Sequence, residues 1–274
     1  MKPTVDFDSI AEAWQKWEEI LEPCFGRLNE LLLEKAVISE KHHVLDLGCG
    51  SGIPALLIAK RVTKGKVIGV DISEPMVAVA RRKVDALKLN NISFQNHDIH
   101  SLPFEASSFD AVTARFSLMF VETPQNTINE VFRVLRNRGR FSVCVWGDPQ
   151  KNPLPRNVLG QYCEVPSNNP DVPGPYRFAD KGRLAALMNQ SGFSETGEEE
   201  IDIQEVFQSG EEYVQHLVEA SALWGSLLRK MNPEQFKQVS DHLIQEAEKY
   251  CIGTRVFIPR FARIVYAAKT LWKN

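Results

Sequence analysis

Cysteine is scarce in this chain, and its arrangement excludes several kinds of protein. The 274 residues include five cysteines, an odd number, and no two of them form a C-x-x-C pair. That pattern argues against a disulfide framework, a cysteine-based zinc site and an iron–sulfur cluster. Scattered cysteines fit a reducing compartment, so we expect a cytoplasmic protein.

Long apolar runs and long basic runs are missing too. No apolar segment approaches the roughly 18 residues of a membrane helix, and the polar N-terminal segment does not resemble a signal peptide. The formal net charge is −3, and the short basic cluster at residues 81–83 falls within a helical pattern, where it is expected to face solvent. We therefore expect no nucleic-acid partner and no stable membrane insertion.

What is present is an alternation of helix and strand patterns. Apolar residues at helical spacing predict helices over residues 8–35, interrupted near Pro23 and Gly26. Strand patterns separated by helix patterns follow, as βαβ units require. The predicted strands are His43–Leu47, Lys66–Asp71, residues 92–98, residues 109–121 including the exit of the strand, and residues 140–146. Their nearly continuous apolar composition indicates a parallel sheet that is covered on both faces.

The chain after residue 147 follows a different pattern. Residues 148–175 are rich in proline and are predicted to form a long loop, and a helix is predicted over residues 180–190. Residues 195–207 alternate like a strand, with Ile201, Ile203 and Val206 on its inner side, and an apolar run at the end of the chain suits a last strand. Two or three amphipathic helices are predicted between these strands, over residues 209–249. Insertions of that length are typical of a lid or a small subdomain.

Three glycines follow the first predicted strand, in the sequence DLGCGSG. Gly48, Gly50 and Gly52 would allow a tight turn and would let a ligand lie against bare backbone whose N–H groups point at it. Asp46 precedes them and a helix pattern follows. The glycines alone are a weak signal, because an ordinary strand-to-helix turn or a dinucleotide-binding fold would use similar residues.

Two aspartates end the next two predicted strands. Because parallel strands end at the same edge of a sheet, Asp71 is expected beside the glycines, where its carboxylate can accept hydrogen bonds from both hydroxyls of a ribose. Asp98 is expected one strand further along, where it could accept from an exocyclic amine such as that of adenine. As an alternative role, Asp71 competes with Ser73 for the helix N-cap. Histidines flank Asp98, but with no third ligand in the pattern we predict no metal site.

With these residues in place, residues 44–147 resemble the class I S-adenosylmethionine-dependent methyltransferases, in the small-molecule branch that includes quinone and sterol C-methyltransferases. VLDLGCGSG is similar to the first motif of that family and VIGVDIS to the second. HDIHSLPFEASSFDAV and EVFRVLRNRGRFSV are similar to the later motifs, in the family's order and at its spacing.

The resemblance implies a complete architecture. It predicts an α/β, Rossmann-like, doubly wound and mostly parallel sheet of seven strands with an antiparallel last strand, preceded by N-terminal helices. One methyltransferase domain would cover residues 1–274. Its parts would be an N-terminal helical cap over residues 1–36, a cofactor-binding core over residues 37–147, and the rest of the sheet over residues 148–274 with a helical lid at about 207–252.

The resemblance also implies S-adenosyl-L-methionine as the cofactor. The implied binding positions are Asp46, Gly48, Cys49 and Gly50 around the methionine moiety, with Gly52 in the same loop. Asp71, Ile72 and Met76 would lie around the ribose and adenosine, Asp98 and Ile99 around adenine, and Arg115 and Phe116 at the sulfonium and amino-acid end. Many relatives carry asparagine or histidine near the last of these positions, where this chain has TARFSLMF. A structural ion pair is therefore an equal alternative for Arg115.

The N-terminal sequence FDSIAEAWQKW resembles the segment that folds over the cofactor in such enzymes. Phe7, Trp14 and Trp17 would then close the pocket. The alternative is an amphipathic stripe that faces the core, which we favour for Trp17.

These features predict a methyltransferase that acts on a small, apolar or amphipathic metabolite by in-line methyl transfer. Tyr162, Tyr213 and His216 are candidate general bases in lid-like regions, but no pattern distinguishes them, so no catalytic residue is predicted. The sequence does not determine the acceptor atom or the oligomeric state. Two alternatives remain open: an NAD(P)-dependent oxidoreductase, although a second mononucleotide-binding half and a Tyr-x-x-x-Lys pattern are missing, and a non-catalytic nucleoside-binding protein on the same fold.

Overall fold

The fold is organised by a mixed sheet. The structure, a computed structural model, describes residues 6–152, 154–166 and 168–270. The strands in chain order are β1 (His43–Leu47), β2 (Lys66–Asp71), β3 (Ile92–Asn96), β4 (Phe109–Arg115), β5 (Leu135–Trp146), β6 (Ser194–Phe207), β7 (Cys251–Ile252) and β8 (Arg255–Ala268). They pair in the order β3-β2-β1-β4-β5-β8-β6, and the two-residue β7 pairs with β8.

The strand directions match the sequence prediction. Strands β1 to β5 run parallel to one another, whereas β8 runs antiparallel to both of its neighbours, β5 and β6. The seven-stranded, mostly parallel sheet with an antiparallel last strand is therefore confirmed. Both faces of the parallel part are buried, since Val44 of β1 packs into one apolar cluster and Leu45 and Leu47 pack into another.

Helices precede, connect and follow the strands. They are α1 (Ala11–Leu21), α2 (Gly26–Lys35), α3 (Ala55–Arg61), α4 (Glu74–Leu87), α5 (Pro124–Val134), α6 (Arg156–Leu159), α7 (Arg183–Gln190), α8 (Gly210–Ala220), α9 (Ala222–Leu228) and α10 (Pro233–Glu248). The predicted interruption near Pro23 is a 3-10 turn, Glu22–Phe25. Among the described residues, no helix has the length and apolar character needed to cross a membrane.

The third strand is shorter than predicted. β3 ends at Asn96, the last residue that pairs with β2, and not at Asp98. The side-chain amide of Asn96 donates to the carbonyl oxygens of Asp71 and Ile72 at 3.0 and 2.8 Å. The carbonyl of Asp71 also accepts from the backbone N–H of His97 at 3.0 Å, so the loop that follows β3 stays attached to the end of β2.

Two helix boundaries also differ from the prediction. α5 ends at Val134, not near Gly139, because Leu135 already pairs with Phe109 and begins β5. Gly139 lies within that strand, in the stretch where the pairing of β4 with β5 shifts register. α7 begins at Arg183, three residues later than predicted from the apolar pattern.

Strands β6 and β8 continue beyond the edge where the parallel strands end. Trp146, the last residue of β5, pairs with Ala262, and Ala262 pairs with Ile201. Residues 202–207 and 255–261 therefore extend past that edge as a two-stranded arm. At about 3.3 Å per residue, the arm projects roughly 20 Å. The predicted insertion of amphipathic helices consists of α8, α9 and α10, which connect the two sides of this arm.

Candidate active site

A cavity of about 580 Å³ lies where the parallel strands end. This volume is within the range of small-molecule sites, roughly 300–1,000 Å³. The segments that follow β1 to β4 line one part of it, and the two-stranded arm with α8 and α9 lines another. Open α/β sheets bind their ligands at this edge.

The glycine loop after β1 exposes backbone to the cavity. Gly48 has a φ of +61°, and a methyl group on its Cα would overlap the side chain of Ser117. Gly50 has a φ of +51°, but a methyl group there would meet nothing within 4 Å. Packing therefore requires glycine at Gly48, whereas at Gly50 the bare backbone faces open space. A ligand can lie against the loop at this second position.

Asp71 joins the glycine loop to the end of β2. Its two carboxylate oxygens accept hydrogen bonds from the N–H groups of Gly50 at 2.8 Å and Ser73 at 2.9 Å. Because a carboxylate has about four lone-pair positions, two remain for a ligand. Burial raises the pKa of this carboxyl group. Ser73 caps α4 through its own hydroxyl, which accepts from the N–H of Met76 at 3.3 Å, so Asp71 is not needed as the side-chain cap.

Asp98 reaches the cavity from the loop that follows β3. Its side chain is 46% exposed and lies 2.7 Å from Nδ1 of His100. Partial burial raises the pKa of Asp98, but hydrogen bonds from the backbone and ring of His100 outweigh that effect and lower it. Ile99 adds an apolar side chain to the same part of the wall.

Aromatic rings form much of the remaining wall. The ring of Phe116 stacks on that of Trp146, with centroids 4.0 Å apart and an angle of 18° between the planes. Phe7, from the N-terminal segment, meets Phe120 edge-on at 5.4 Å. Phe116 has a φ of +54°, unusual for a bulky residue, so the end of β4 holds strained backbone beside the cavity. Such a wall suits an apolar or aromatic ligand.

Comparison with known proteins identifies the family. A family model described as "Methyltransferase domain" matches residues 38–216. The chain belongs to this methyltransferase family. The demethylmenaquinone methyltransferase of Lactiplantibacillus plantarum is 30% identical over 203 residues, which cover 68% of this chain and 85% of that protein. The enzyme of the same name from Symbiobacterium thermophilum is 36% identical over 146 residues, covering 51% of this chain and 56% of that protein.

The match to several relatives is partial, and the structural likeness shows the fold. The chain spans about half the length of the curated relatives from Symbiobacterium thermophilum and Thermus thermophilus, 56% and 54%. The YcgJ protein of Bacillus subtilis superposes with a TM-score of 0.60 at 22% identity, over 90% of this chain and 100% of that one. The [4+2]-cyclase SpnF superposes with a TM-score of 0.59 at 19% identity, over 99% of each chain, so this fold is not restricted to one chemistry.

In this member of the family, Arg115 lines the cavity but is held by the N-terminal segment. Its guanidinium donates to the carboxylate of Glu22 at 3.0 Å and to the side-chain oxygen of Asn29 at 2.9 Å. Burial opposes the charge of Arg115, yet the carboxylate of Glu22 raises its pKa. These contacts support the structural ion pair, which connects the turn before α2 to the end of β4.

Asp46 and Gly52 lie behind the cavity wall. Oδ1 of Asp46 accepts from the hydroxyl of Thr113 at 2.7 Å, whereas Oδ2 has no hydrogen-bond partner among the described residues. Complete burial raises the pKa of Asp46 to about 7. Gly52 packs against Ala80 and Phe94, away from the cavity. Neither residue lines the cavity: Asp46 is buried in β1, and Gly52 is buried at the end of the glycine loop.

The N-terminal segment divides between wall and core. Phe7 and Trp14 line the cavity. Trp17 is 1% exposed, and its indole N–H donates to Glu219 of α8 at 2.8 Å. The core position favoured for Trp17 is thus what the structure shows.

The three candidate bases occupy different places. The hydroxyl of Tyr162 contacts Nδ1 of His242 at 2.9 Å, outside the cavity wall. Tyr213 is completely buried behind the wall, whereas His216 lines the cavity. Burial lowers the pKa of His216 to about 3. Because a general base works best with a pKa near the operating pH, none of the three is placed for that role.

A buried ion pair in the arm is not predicted by the sequence pattern. Nε of Arg260 in β8 donates to Glu205 of β6 at 2.8 Å, and both residues line the cavity. The alternation of β6 did carry a signal. Side chains two residues apart share a face of a strand, so the inner side that begins at Ile201 and Ile203 continues to Glu205 and not to Val206.

Proposed function

We propose that this chain is an S-adenosyl-L-methionine-dependent methyltransferase that acts on a small, apolar or amphipathic acceptor. One observation carries the proposal: the bare backbone of the glycine loop and the carboxylate of Asp71 meet, through the Gly50 N–H, in the wall of a cavity that is otherwise largely aromatic and apolar. The carboxylate can accept hydrogen bonds from ribose hydroxyls, and the bare backbone and the apolar surface can contact the rest of the ligand. Together these features match a nucleoside joined to an amino acid.

The residues present fit this cofactor. Open space above Gly50 accommodates a ligand against the backbone, and Asp71 has lone pairs to spare for two ribose hydroxyls. The proposed contacts are Gly48, Cys49 and Gly50 at the methionine end, Asp71, Ile72 and Met76 at the ribose and adenosine, Asp98 and Ile99 at adenine, and Phe116 at the sulfonium end. Asp46, Gly52 and Arg115 are proposed to hold this wall in shape.

Bound in this way, the cofactor supplies an electrophilic methyl group on a sulfonium. The chain contributes orientation and the exclusion of water. Aligning the two reactants can supply roughly 7–11 kcal/mol of barrier reduction. The stacked rings of Phe116 and Trp146 give the cavity a rigid apolar wall that keeps water from the reacting atoms.

Both the relatives and the cavity support an apolar acceptor. Several relatives are named demethylmenaquinone methyltransferases, and an apolar ring system of that sort fits an aromatic wall. The net charge of −3 supports a small-molecule acceptor rather than a nucleic acid. We further propose that the chain is one methyltransferase domain with its helical lid over α8 to α10, and that it works in the cytoplasm.

The test is calorimetric titration with S-adenosylhomocysteine and, separately, with NAD. We expect the wild-type chain to bind the first and not the second. Asp71→Asn should lower the affinity for S-adenosylhomocysteine by about 10- to 150-fold, which corresponds to about 1.5–3 kcal/mol for a hydrogen bond to a charged group. Turnover of S-adenosylmethionine with an apolar phenol or quinol then measures the reaction itself.

Asp148→Asn is the matched control. Asp148 also accepts a backbone hydrogen bond, from Gln150 at 2.8 Å, but it lies outside the cavity wall. Its substitution should leave both titrations unchanged. Preferential binding of NAD would support the oxidoreductase, and binding of S-adenosylhomocysteine without any turnover would support a non-catalytic role. An unchanged affinity in folded Asp71→Asn would contradict the site assignment.

A further inference from the structure

Two polar side chains meet in the loop that follows β3. Oδ1 of Asp98 accepts a hydrogen bond from the backbone N–H of His100 at 2.9 Å and lies 2.7 Å from Nδ1 of the His100 ring. Both residues line the cavity, and neither side chain is buried: 46% of Asp98 and 30% of His100 are exposed. The pair is therefore accessible to a ligand in the cavity.

The ring of His100 is held on two sides. An ionised carboxylate can only accept hydrogen bonds, so Nδ1 carries a proton and donates it to Asp98. Nε2 then has a free lone pair, and the backbone N–H of Thr123 donates to it at 3.5 Å. Thr123 directly precedes α5, so the imidazole connects the loop after β3 with the start of that helix. A ring fixed in this way fixes one oxygen of Asp98 in turn.

The two bonds to Oδ1 determine what Asp98 offers to the cavity. Oδ2 takes part in neither bond, so its lone pairs remain for a ligand. Partial burial raises the pKa of Asp98, but the hydrogen bonds from His100 outweigh that effect and lower it. The group is therefore ionised at neutral pH and acts as an acceptor alone. Because its orientation is already fixed, it loses less conformational freedom when a ligand binds.

The position of this acceptor matches the nucleobase of the proposed cofactor. β3 pairs with β2, and the N–H of His97 donates to the carbonyl of Asp71 at 3.0 Å, so the loop that carries Asp98 begins beside the end of β2. Neighbouring strands lie about 4.8 Å apart, so a ribose bonded to Asp71 would place its base near Asp98. An amino group on that base can donate to Oδ2, whereas an oxo group would bring a second acceptor against it.

We propose that His100 is a positioning residue, which holds the Asp98 carboxylate toward the nucleobase and thereby selects a 6-aminopurine over a 6-oxopurine. The inference rests on the proposed function, which places the adenine of the cofactor at Asp98. His100 acts through Asp98 and takes no part in the methyl transfer. A pair that only closed the turn after β3 would affect stability, but its loss would leave the choice of base unchanged.

The first experiment compares three ligands that differ in the group at position 6 of the purine. S-adenosylhomocysteine carries an amino group there, S-inosylhomocysteine carries an oxo group, and the purine-riboside analogue carries hydrogen. Each is titrated calorimetrically into the full chain. We expect S-adenosylhomocysteine to bind about tenfold or more tightly than either of the others, because only its amino group can donate to Asp98. Equal binding of S-adenosylhomocysteine and the analogue with hydrogen would overturn the proposal.

The second experiment removes and then restores the donor that His100 supplies. His100→Leu and His100→Ala should each lower the preference for S-adenosylhomocysteine over the analogue with hydrogen by about three- to tenfold, while the affinity for that analogue stays unchanged. His100→Asn should retain most of the preference, because its amide N–H can donate to Asp98 from about the position of Nδ1. A structural role alone would lower the three affinities together, and asparagine would not restore them.

A double-mutant cycle tests whether His100 acts through Asp98. Asp98→Ala alone should abolish the preference, and adding His100→Leu to it should change the preference no further. An additional effect of His100→Leu in the Asp98→Ala chain would overturn the proposal, because the imidazole would then act on the base independently of the carboxylate.

His97→Leu is the matched control, because His97 precedes Asp98 in the chain but lies outside the cavity wall. It should leave all three affinities unchanged. Thermal unfolding establishes that each variant is folded, and an unchanged preference in folded His100→Leu or His100→Ala refutes the role of His100. Failure of the wild-type chain to bind S-adenosylhomocysteine refutes the proposed function instead, so the two failures are distinguishable.

Discussion

The carboxyl group of Asp46 should make this protein less stable as the pH rises from about 4 to about 7. Asp46 is completely buried in β1, just before the glycine loop, and one of its oxygens has no hydrogen-bond partner among the described residues. Burial raises its pKa from 3.8 to about 7. We predict that Asp46→Asn, which cannot ionise, removes this dependence.

The magnitude follows from linkage between protonation and folding. The folded state holds the proton of Asp46 up to about pH 7, whereas the unfolded chain releases it near 3.8. The contribution of Asp46 to the free energy of unfolding therefore falls as the pH rises through this interval and is constant above it. At 1.36 kcal/mol for each factor of ten, the whole interval corresponds to about 4 kcal/mol. Asp46→Asn should gain about that much on wild type between pH 4 and pH 8.

The assay is urea unfolding of wild type and Asp46→Asn at intervals of pH. The informative quantity is the change with pH of the difference in unfolding free energy, since any constant effect of the amide cancels. Asp110→Asn is the control with the opposite sign. Partial burial raises the pKa of Asp110, but the hydrogen bond from His43 and the ion pair with Arg136 outweigh that effect and lower it. The stability that ionised Asp110 contributes is therefore lost only as the pH falls below about 4. Parallel curves for wild type and Asp46→Asn would refute the assignment of a buried, proton-holding Asp46.

Three further predictions concern the glycine loop, His216 and the helix α1. In thermal unfolding, Gly48→Ala should destabilise the fold by more than Gly50→Ala. Both variants pay the cost of a left-handed backbone, roughly 1–2 kcal/mol, but only Gly48→Ala adds a steric overlap. Gly50→Ala should instead weaken the binding of S-adenosylhomocysteine in calorimetry. His216→Phe should abolish a loss of stability that wild type shows as the pH falls from 6.5 toward 3, worth about 2 kcal/mol at pH 5 in urea unfolding. Glu18→Gln should cost about 1–3 kcal/mol by urea unfolding, because it leaves the ammonium of Lys83, now 2.6 Å from Glu18, without its counter-charge.

Each of these predictions has an outcome that contradicts it. Equal stability of Gly48→Ala and Gly50→Ala would show that Ser117 does not restrict the loop. An acid loss that persists in His216→Phe would place its origin in another group. A Glu18→Gln chain as stable as wild type would show that α1 is not attached to α4 through Lys83.

The alternating strands and helices of the sheet could be predicted from the sequence. Strand and helix alternate in apolar periodicity, and right-handed crossovers then allow few sheet topologies. The glycine loop and Asp71 were predictable for the same reason, because parallel strands end at one edge wherever the helices lie between them. Asp98 was predicted to end the third strand, but β3 ends two residues earlier and Asp98 lies in the loop that follows, because apolar periodicity does not define a strand boundary to the residue.

The sequence by itself determined the class of sheet, the family and the loop that faces the proposed cofactor, because each of these depends on short-range pattern. Tertiary structure alone decided what surrounds them. Arg115 meets a glutamate 93 residues earlier in the chain, and Glu205 meets Arg260 across 55 residues, through strand register and packing that leave no local pattern. Asp46 is buried outside the cavity wall, whereas His216 lines the cavity. Neither position could be predicted from the neighbouring sequence, because burial depends on how distant segments pack. The proposed cofactor side of the site is therefore predicted by sequence motifs, whereas the proposed acceptor side depends on contacts between distant segments.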